Sequence, residues 1–116
     1  MAEMSISTLS GLTRASDLLP HVKKADLSAG DWLVITTVKS VYRLRVLADG
    51  RFEASGGWFD KKGLSPMRIS VSGCTWGGSA IMTRVVAACG LRIEFGNRLT
   101  TSPVRRIVVV PGALLN

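Results

Sequence analysis

The sequence predicts an all-β domain, a small antiparallel barrel of about seven or eight strands behind a short N-terminal helical or irregular segment. Three observations predict it. Apolar and polar residues alternate in several short runs, as in Tyr42, Leu44 and Val46 against Arg43 and Arg45. Glycine-bearing turns separate these runs at intervals of about eight to twelve residues. Between them the chain is rich in Val, Ile and Thr, whose branched Cβ suits a pleated surface.

Residues 1–30 read as an N-terminal segment with little alternation. Ser16 is placed to cap a short helix, with Asp17 in its first turn, Pro20 still near its start and Lys23 and Lys24 near its end. Residues 31–111 read as the β-domain. Trp32–Val38 is the first strand, Val41–Leu47 the second, and the Asp49-Gly50 pair marks a hairpin turn into Arg51–Ser55. Gly56-Gly57 breaks that strand and Trp58-Phe59 resumes it; in an extended segment one of the two rings faces away from the core. Met67–Ser72 alternates again, with Ile69 and Val71 inward and Arg68 outward. A glycine-rich loop, Gly73–Ser79, leads to strands at Ile81–Ala87 and Leu91–Phe95. Gly96-Asn97 reads as a two-residue link to Arg98–Thr101, and Val104–Val110 completes the set. Residues 112–116 form a C-terminal tail after Pro111. Closure into a barrel would remove exposed edges, with Gly56-Gly57 and Gly77-Gly78 as its corners.

The chain has 116 residues, 47% of them hydrophobic and 20% charged, which describes one globular domain and excludes a disordered chain. Fifteen Lys and Arg against eight Asp and Glu give a net charge of +7. That bias favours acidic partners such as nucleic acid or an acidic protein; it also serves plain solubility. Twelve of the fifteen cations lie at or after Lys39, spread through the β-domain, so a basic tail is excluded. Cys74 and Cys89 have fourteen residues between them and form no C-x-x-C pair, which reads as two small free thiols. The N-terminus lacks the pattern of a secretory signal and no apolar run is long enough for a membrane span, so a cytoplasmic location is expected.

A set of motifs resembles a group of short bacterial proteins of unassigned function, expected to be all-β. The motifs are SVYRLRVL (Ser40–Leu47), GGWF (Gly56–Phe59), GCTWGGS (Gly73–Ser79) and TSPVR (Thr101–Arg105), with Gly30-Asp31 before the first strand. The resemblance spans roughly residues 30–110. It implies a bacterial cytoplasmic β-domain and carries no activity and no catalytic residues.

No catalytic constellation is legible, and the chain is expected not to be an enzyme. His21 is the lone histidine, without the partners that a general base or a metal site needs, and no metal or cofactor motif is present. Asp31, Asp49 and Asp60 fall in turns, where local backbone hydrogen bonds account for them. The Gly73–Ser79 loop has two readings. It is an anion nest, with Thr75 and Ser79 as added donors, or a tight corner with Trp76 packed beneath it. It lacks the Gly-Lys-Ser/Thr of a phosphate loop. The binding candidates are Arg43, Arg45, Arg68, Arg92 and Arg105, which make one basic face if their strands are neighbours, with Trp58 and Trp76 as stacking platforms. The same arginines also serve as solvated cover, or as cross-strand partners of Glu53 and Glu94. Two functions follow as expectations: a binding module for nucleic acid or another polyanion, or a protein-interaction module that self-assembles into a homo-oligomer. No small-molecule substrate is identified.

Overall fold

The computed structural model describes residues 19–77 and 80–115. The chain is mostly β, with nine strands among the described residues. The largest unit is a five-stranded antiparallel sheet. It is built by β2 (Trp32–Thr37), β3 (Val41–Val46), β4 (Phe52–Gly56), β5 (Met67–Ile69) and β9 (Val104–Val110), in the order β5-β4-β3-β2-β9. Register sets the faces. Leu33 pairs with Leu44, Leu44 with Ala54, and Phe52 with Ile69, so the apolar set of each strand lands on one side. That side is the core: Leu33, Ile35, Leu44, Ala54 and their neighbours are buried. Burying each large apolar side chain contributes about 1.5–3 kcal/mol.

Two short ladders cover this face. One pairs β1 (His21–Lys23) with β7 (Val85–Ala88), and the other pairs β6 (Val71–Thr75) with β8 (Arg92–Phe95). Val71, Val86, Ile93 and Phe95 join the core of the large sheet. All four residues of β7 are buried, because it packs against β6, β8 and β9 as well as β1. The expected all-β class holds, but no closed barrel forms among the described residues. The large sheet ends at β5 and β9. Only Ser70 separates β5 from β6, and Val104 exchanges two backbone hydrogen bonds with Gly90 (2.7 Å) and Leu91 (2.8 Å). These contacts join the layers without a continuous ladder.

Several local readings are corrected by tertiary context. Trp58-Phe59 does not resume a strand; it lies in a short helix, α1 (Gly57–Lys61). Gly56 and Gly57 adopt φ of 89° and 43°, which ends the extended run. Asp60 Oδ1 accepts the Gly56 N–H at 2.9 Å and holds the turn. One of the two rings is partly exposed, but neither faces away from the core: Phe59 is fully buried, and half-buried Trp58 also packs against the core cluster. At the N-terminus, Ser16 and Asp17 lie outside the described residues, and His21–Lys23 is a strand rather than the end of a helix. Pairing with β7 supplies its hydrogen bonds, and only Lys24–Asp26 takes a 3₁₀ turn. The strand expected from Ile81 begins at Val85, since Met82 instead bridges to Cys74. Arg98–Thr101 is not a strand either; only Thr100 bridges to Glu94. The link before it is longer than two residues, closing between Phe95 and Leu99 with Arg98 at φ 70°.

Both cysteines are free. Burial pushes the Cys74 thiol up to about 11, so it stays protonated and unreactive at neutral pH. Cys89 is half-buried, its thiol facing the Arg105 carbonyl at 3.6 Å. A thiol reagent at neutral pH is therefore expected to modify Cys89 alone in the native protein and Cys74 only after denaturation. Two equally fast thiols would contradict the packing around Cys74.

Candidate anion-binding cleft

The five predicted arginines do not share one face. Arg43, Arg45 and Arg68 point outward from the large sheet, as alternation requires, but each meets a carboxylate. Arg45 pairs with Glu53 at 3.2 Å, Arg68 with Asp49, and Arg43 reaches Asp60 at 4.0 Å. The hydrogen bond from Arg68, with the Arg51 backbone N–H, holds the Asp49 carboxyl below the usual carboxylate range. Asp60 is held low first by the Ser65 hydroxyl and then by the Gly56 N–H. The turn aspartates thus do what the sequence suggested, and the charges of Arg43, Arg45 and Arg68 are each offset by a carboxylate. Arg105 is exposed where the β2–β9 register shifts.

Arg92 and Trp58 come together elsewhere. A cleft of about 570 Å³ opens between the β2–β3 turn, α1, β8 and the segment before β9. Lys39, Lys61 and Arg92 supply three cations around it, Trp58 and Tyr42 supply aromatic surface, and Ser40 and Thr100–Ser102 add hydroxyl residues. No carboxylate lines the cleft among the described residues. The elements set this up locally. The glycine pair turns the chain into α1, where Trp58 and Lys61 are three residues apart and share a helix face. Phe59 points the other way into the core and anchors the helix, its ring edge-on to Phe95 at 5.1 Å and Trp58 at 5.3 Å. Arg92 leaves β8 toward the cleft, with its Nη1 donating to the Thr101 carbonyl at 3.4 Å.

The rim is held by a chain of hydroxyls. The Ser102 hydroxyl donates to Thr37 Oγ1 at 2.8 Å and accepts the Lys39 N–H at 3.0 Å. Thr37 Oγ1 accepts the Ser40 N–H at 3.0 Å and donates to the Ser40 carbonyl. Thr101 Oγ1 accepts the Ile93 N–H at 3.1 Å and donates to the Ser102 carbonyl. Thr37 and Thr101 are buried and satisfied in this network, which ties the Lys39 turn to the Thr101-Ser102-Pro103 segment. The cleft walls are therefore ordered before any ligand arrives.

The other candidates fall outside. Trp76 packs on a separate small cluster of Cys74, Val85, Ala88 and Leu91. Its indole N–H has no hydrogen-bond partner among the described residues. Its loop is shorter than the expected Gly73–Ser79, since Gly73–Thr75 belong to β6 and pair with β8. The Thr75 hydroxyl donates to the Ala80 carbonyl at 2.7 Å and accepts the Gly77 N–H at 3.1 Å, so it is turned inward rather than toward an anion. Gly78 and Ser79 lie outside the described residues. His21 is half-buried, with Nδ1 at 2.7 Å from the Leu19 carbonyl. No cluster of three metal-ligating side chains occurs among the described residues, and none of their helices is long and apolar enough to cross a membrane.

Lys39, Lys61, Tyr42 and the Thr100–Ser102 hydroxyls were not singled out from sequence. The signal for Lys61 is its spacing from Trp58, visible only if that segment is read as helix. Comparison with protein-family models, curated proteins and solved structures finds no match for this chain, and so ties its motifs to no family.

Proposed function

We propose that the protein is a non-enzymatic binding module for nucleic acid or another polyanion, with the Lys39–Lys61–Arg92 cleft as its contact surface. The observation that carries the reading is the cleft itself: three cations converge on a concave surface bearing Trp58 and free of lining carboxylates among the described residues. Cations concentrated in a concavity attract anions more strongly than cations spread over a convex face, and more so where no carboxylate offsets them. The lining also holds no histidine or carboxylate to act as a general base, which favours binding over catalysis. A cytoplasmic location belongs to the same proposal and is supported by the free thiols of Cys74 and Cys89. So does a small-barrel architecture, supported by the Gly90–Val104–Leu91 hydrogen bonds between layers.

Labelled single-stranded RNA or DNA titrated across a salt series tests the reading. Three phosphate contacts give a log–log salt slope of about −2. Lys39→Gln and Lys61→Gln are each expected to flatten it by about 0.7, while Arg45→Gln, whose charge Glu53 already offsets, leaves it unchanged. Absence of binding at about 100 μM protein in low salt would overturn the proposal.

A self-assembling module is the second reading, favoured by a specific feature. β9 lies at an edge of the large sheet, and Val109 and Leu114 are exposed near it. A monomer by light scattering at high concentration would count against it.

A further inference from the structure

We propose that the cleft takes one nucleotide unit of a single strand, its base stacked on Trp58 and its flanking phosphates held by Lys39, Lys61 and Arg92. The inference rests on the polyanion reading above and narrows it to a ligand that carries both a ring and a phosphate. A plain polyanion needs no aromatic surface, yet here an indole is placed among the cations. Trp58 is half-buried: one part packs edge-on against Phe59, and another lines the cleft beside Tyr42, whose hydroxyl oxygen lies 3.4 Å from the Trp58 backbone nitrogen. The ring is thus anchored rather than swinging free, which lowers the entropic cost of stacking a base on it. Lys61 stands one helical turn beyond it on the same face, and Lys39 and Arg92 approach from the β2–β3 turn and from β8. Cations from three separate elements surround one aromatic surface, the arrangement by which single strands are held without regard to sequence.

Size and charge both argue against a duplex. The cleft volume of about 570 Å³ falls in the range of pockets that enclose a small ligand. A duplex is read by an element long enough to enter a groove about 12 Å wide, or held by a broad unpaired basic surface. The helix here has five residues, and Arg43, Arg45 and Arg68 on the outer face of the sheet each meet a carboxylate. A base must leave its stack to enter the cleft, which costs least in a single strand.

The test uses the full chain and four probes: a fluorescein-labelled oligothymidylate of about ten nucleotides, a blunt duplex of the same length, thymidine monophosphate, and a heparin fragment of similar charge. The single strand is expected to bind at least about tenfold more tightly than any other probe. Trp58→Leu, which keeps apolar volume but removes the π face, is expected to weaken strand binding by about 5- to 150-fold, and Trp58→Phe to restore most of it. Unfolding midpoints within the wild-type range confirm that both variants fold; if the leucine variant does not, the wild-type comparison of strand with duplex still decides. Duplex or heparin binding equal to the single strand, or a Trp58→Leu effect below twofold, would overturn the stacking site while leaving a polyanion module in place. Thymidine monophosphate binding as tightly as the strand would overturn the strand as the source of the nucleotide. Failure of every probe would overturn both readings.

Discussion

Gly56→Ala is expected to destabilise the protein by about 3 kcal/mol or more, lowering the urea midpoint by about 2 M and abolishing cleft binding. Gly56 closes β4 opposite Tyr42 and has φ of 89°, a conformation that an L-residue adopts only with strain. An added Cβ would stand 2.1 Å from the Val41 carbonyl oxygen and 3.1 Å from its carbon. Both obstacles are backbone atoms of the paired strand, so no side-chain rotation relieves the overlap. The strand would have to separate from β3 or the glycine would have to change its φ. Either movement displaces α1, and with it Trp58 and Lys61. Gly50→Ala is the internal control: φ is 82° there too, but nothing lies within 4 Å of the added carbon, so the expected cost is about 1 kcal/mol. Equal effects at the two positions would show that close approach is not the reason for glycine at residue 56.

Phe59→Ala is expected to cost about 3–5 kcal/mol. Phe59 has no exposed surface and makes edge-on contacts with Phe95 at 5.1 Å, Trp58 at 5.3 Å and Tyr42 at 6.0 Å. Truncation removes the transfer energy of the ring and leaves a void among three other rings. A five-residue helix has almost no stability of its own, so the ring is what holds α1 to the sheet. Phe59→Leu should recover much of the loss by refilling the space, and chemical denaturation of the three proteins would rank them. A cost below about 1 kcal/mol for the alanine variant would mean that α1 is held by its glycine turn and the Asp60 hydrogen bonds instead.

These two residues explain why the candidate site was only partly legible. Arg92 and Trp58 were singled out because alternation marks an outward arginine, and a glycine pair marks a tryptophan near a bend. Their meeting was not legible, because it depends on α1. Alternation alone makes the glycine pair a break between two extended runs, whereas its positive φ values redirect the chain into a helical turn. Lys39 and the Thr101-Ser102 hydroxyls were hidden for a different reason. They are more than 60 residues apart, and the Ser102–Thr37 hydrogen bond that gathers them crosses from one chain segment to the other. The outward arginines show the converse. Their direction was set by the period of the strand, while their neutralisation by Glu53, Asp49 and Asp60 was decided by strand register and turn geometry.

The sequence by itself determined the all-β class, the positions of β2, β3, β4, β8 and β9, the Asp49-Gly50 turn, and which side of each strand is apolar. Each of these rests on local chemistry: branched side chains, a period of two, and glycines or aspartates suited to turns. The tertiary structure alone decided three things: that His21–Lys23 pairs as a strand, that Trp58 sits on a helix, and that Lys39, Lys61 and Arg92 from three separate segments line one cleft. Those outcomes depend on which distant segments supply hydrogen bonds and counter-charges, and a pattern of neighbours along the chain does not encode them.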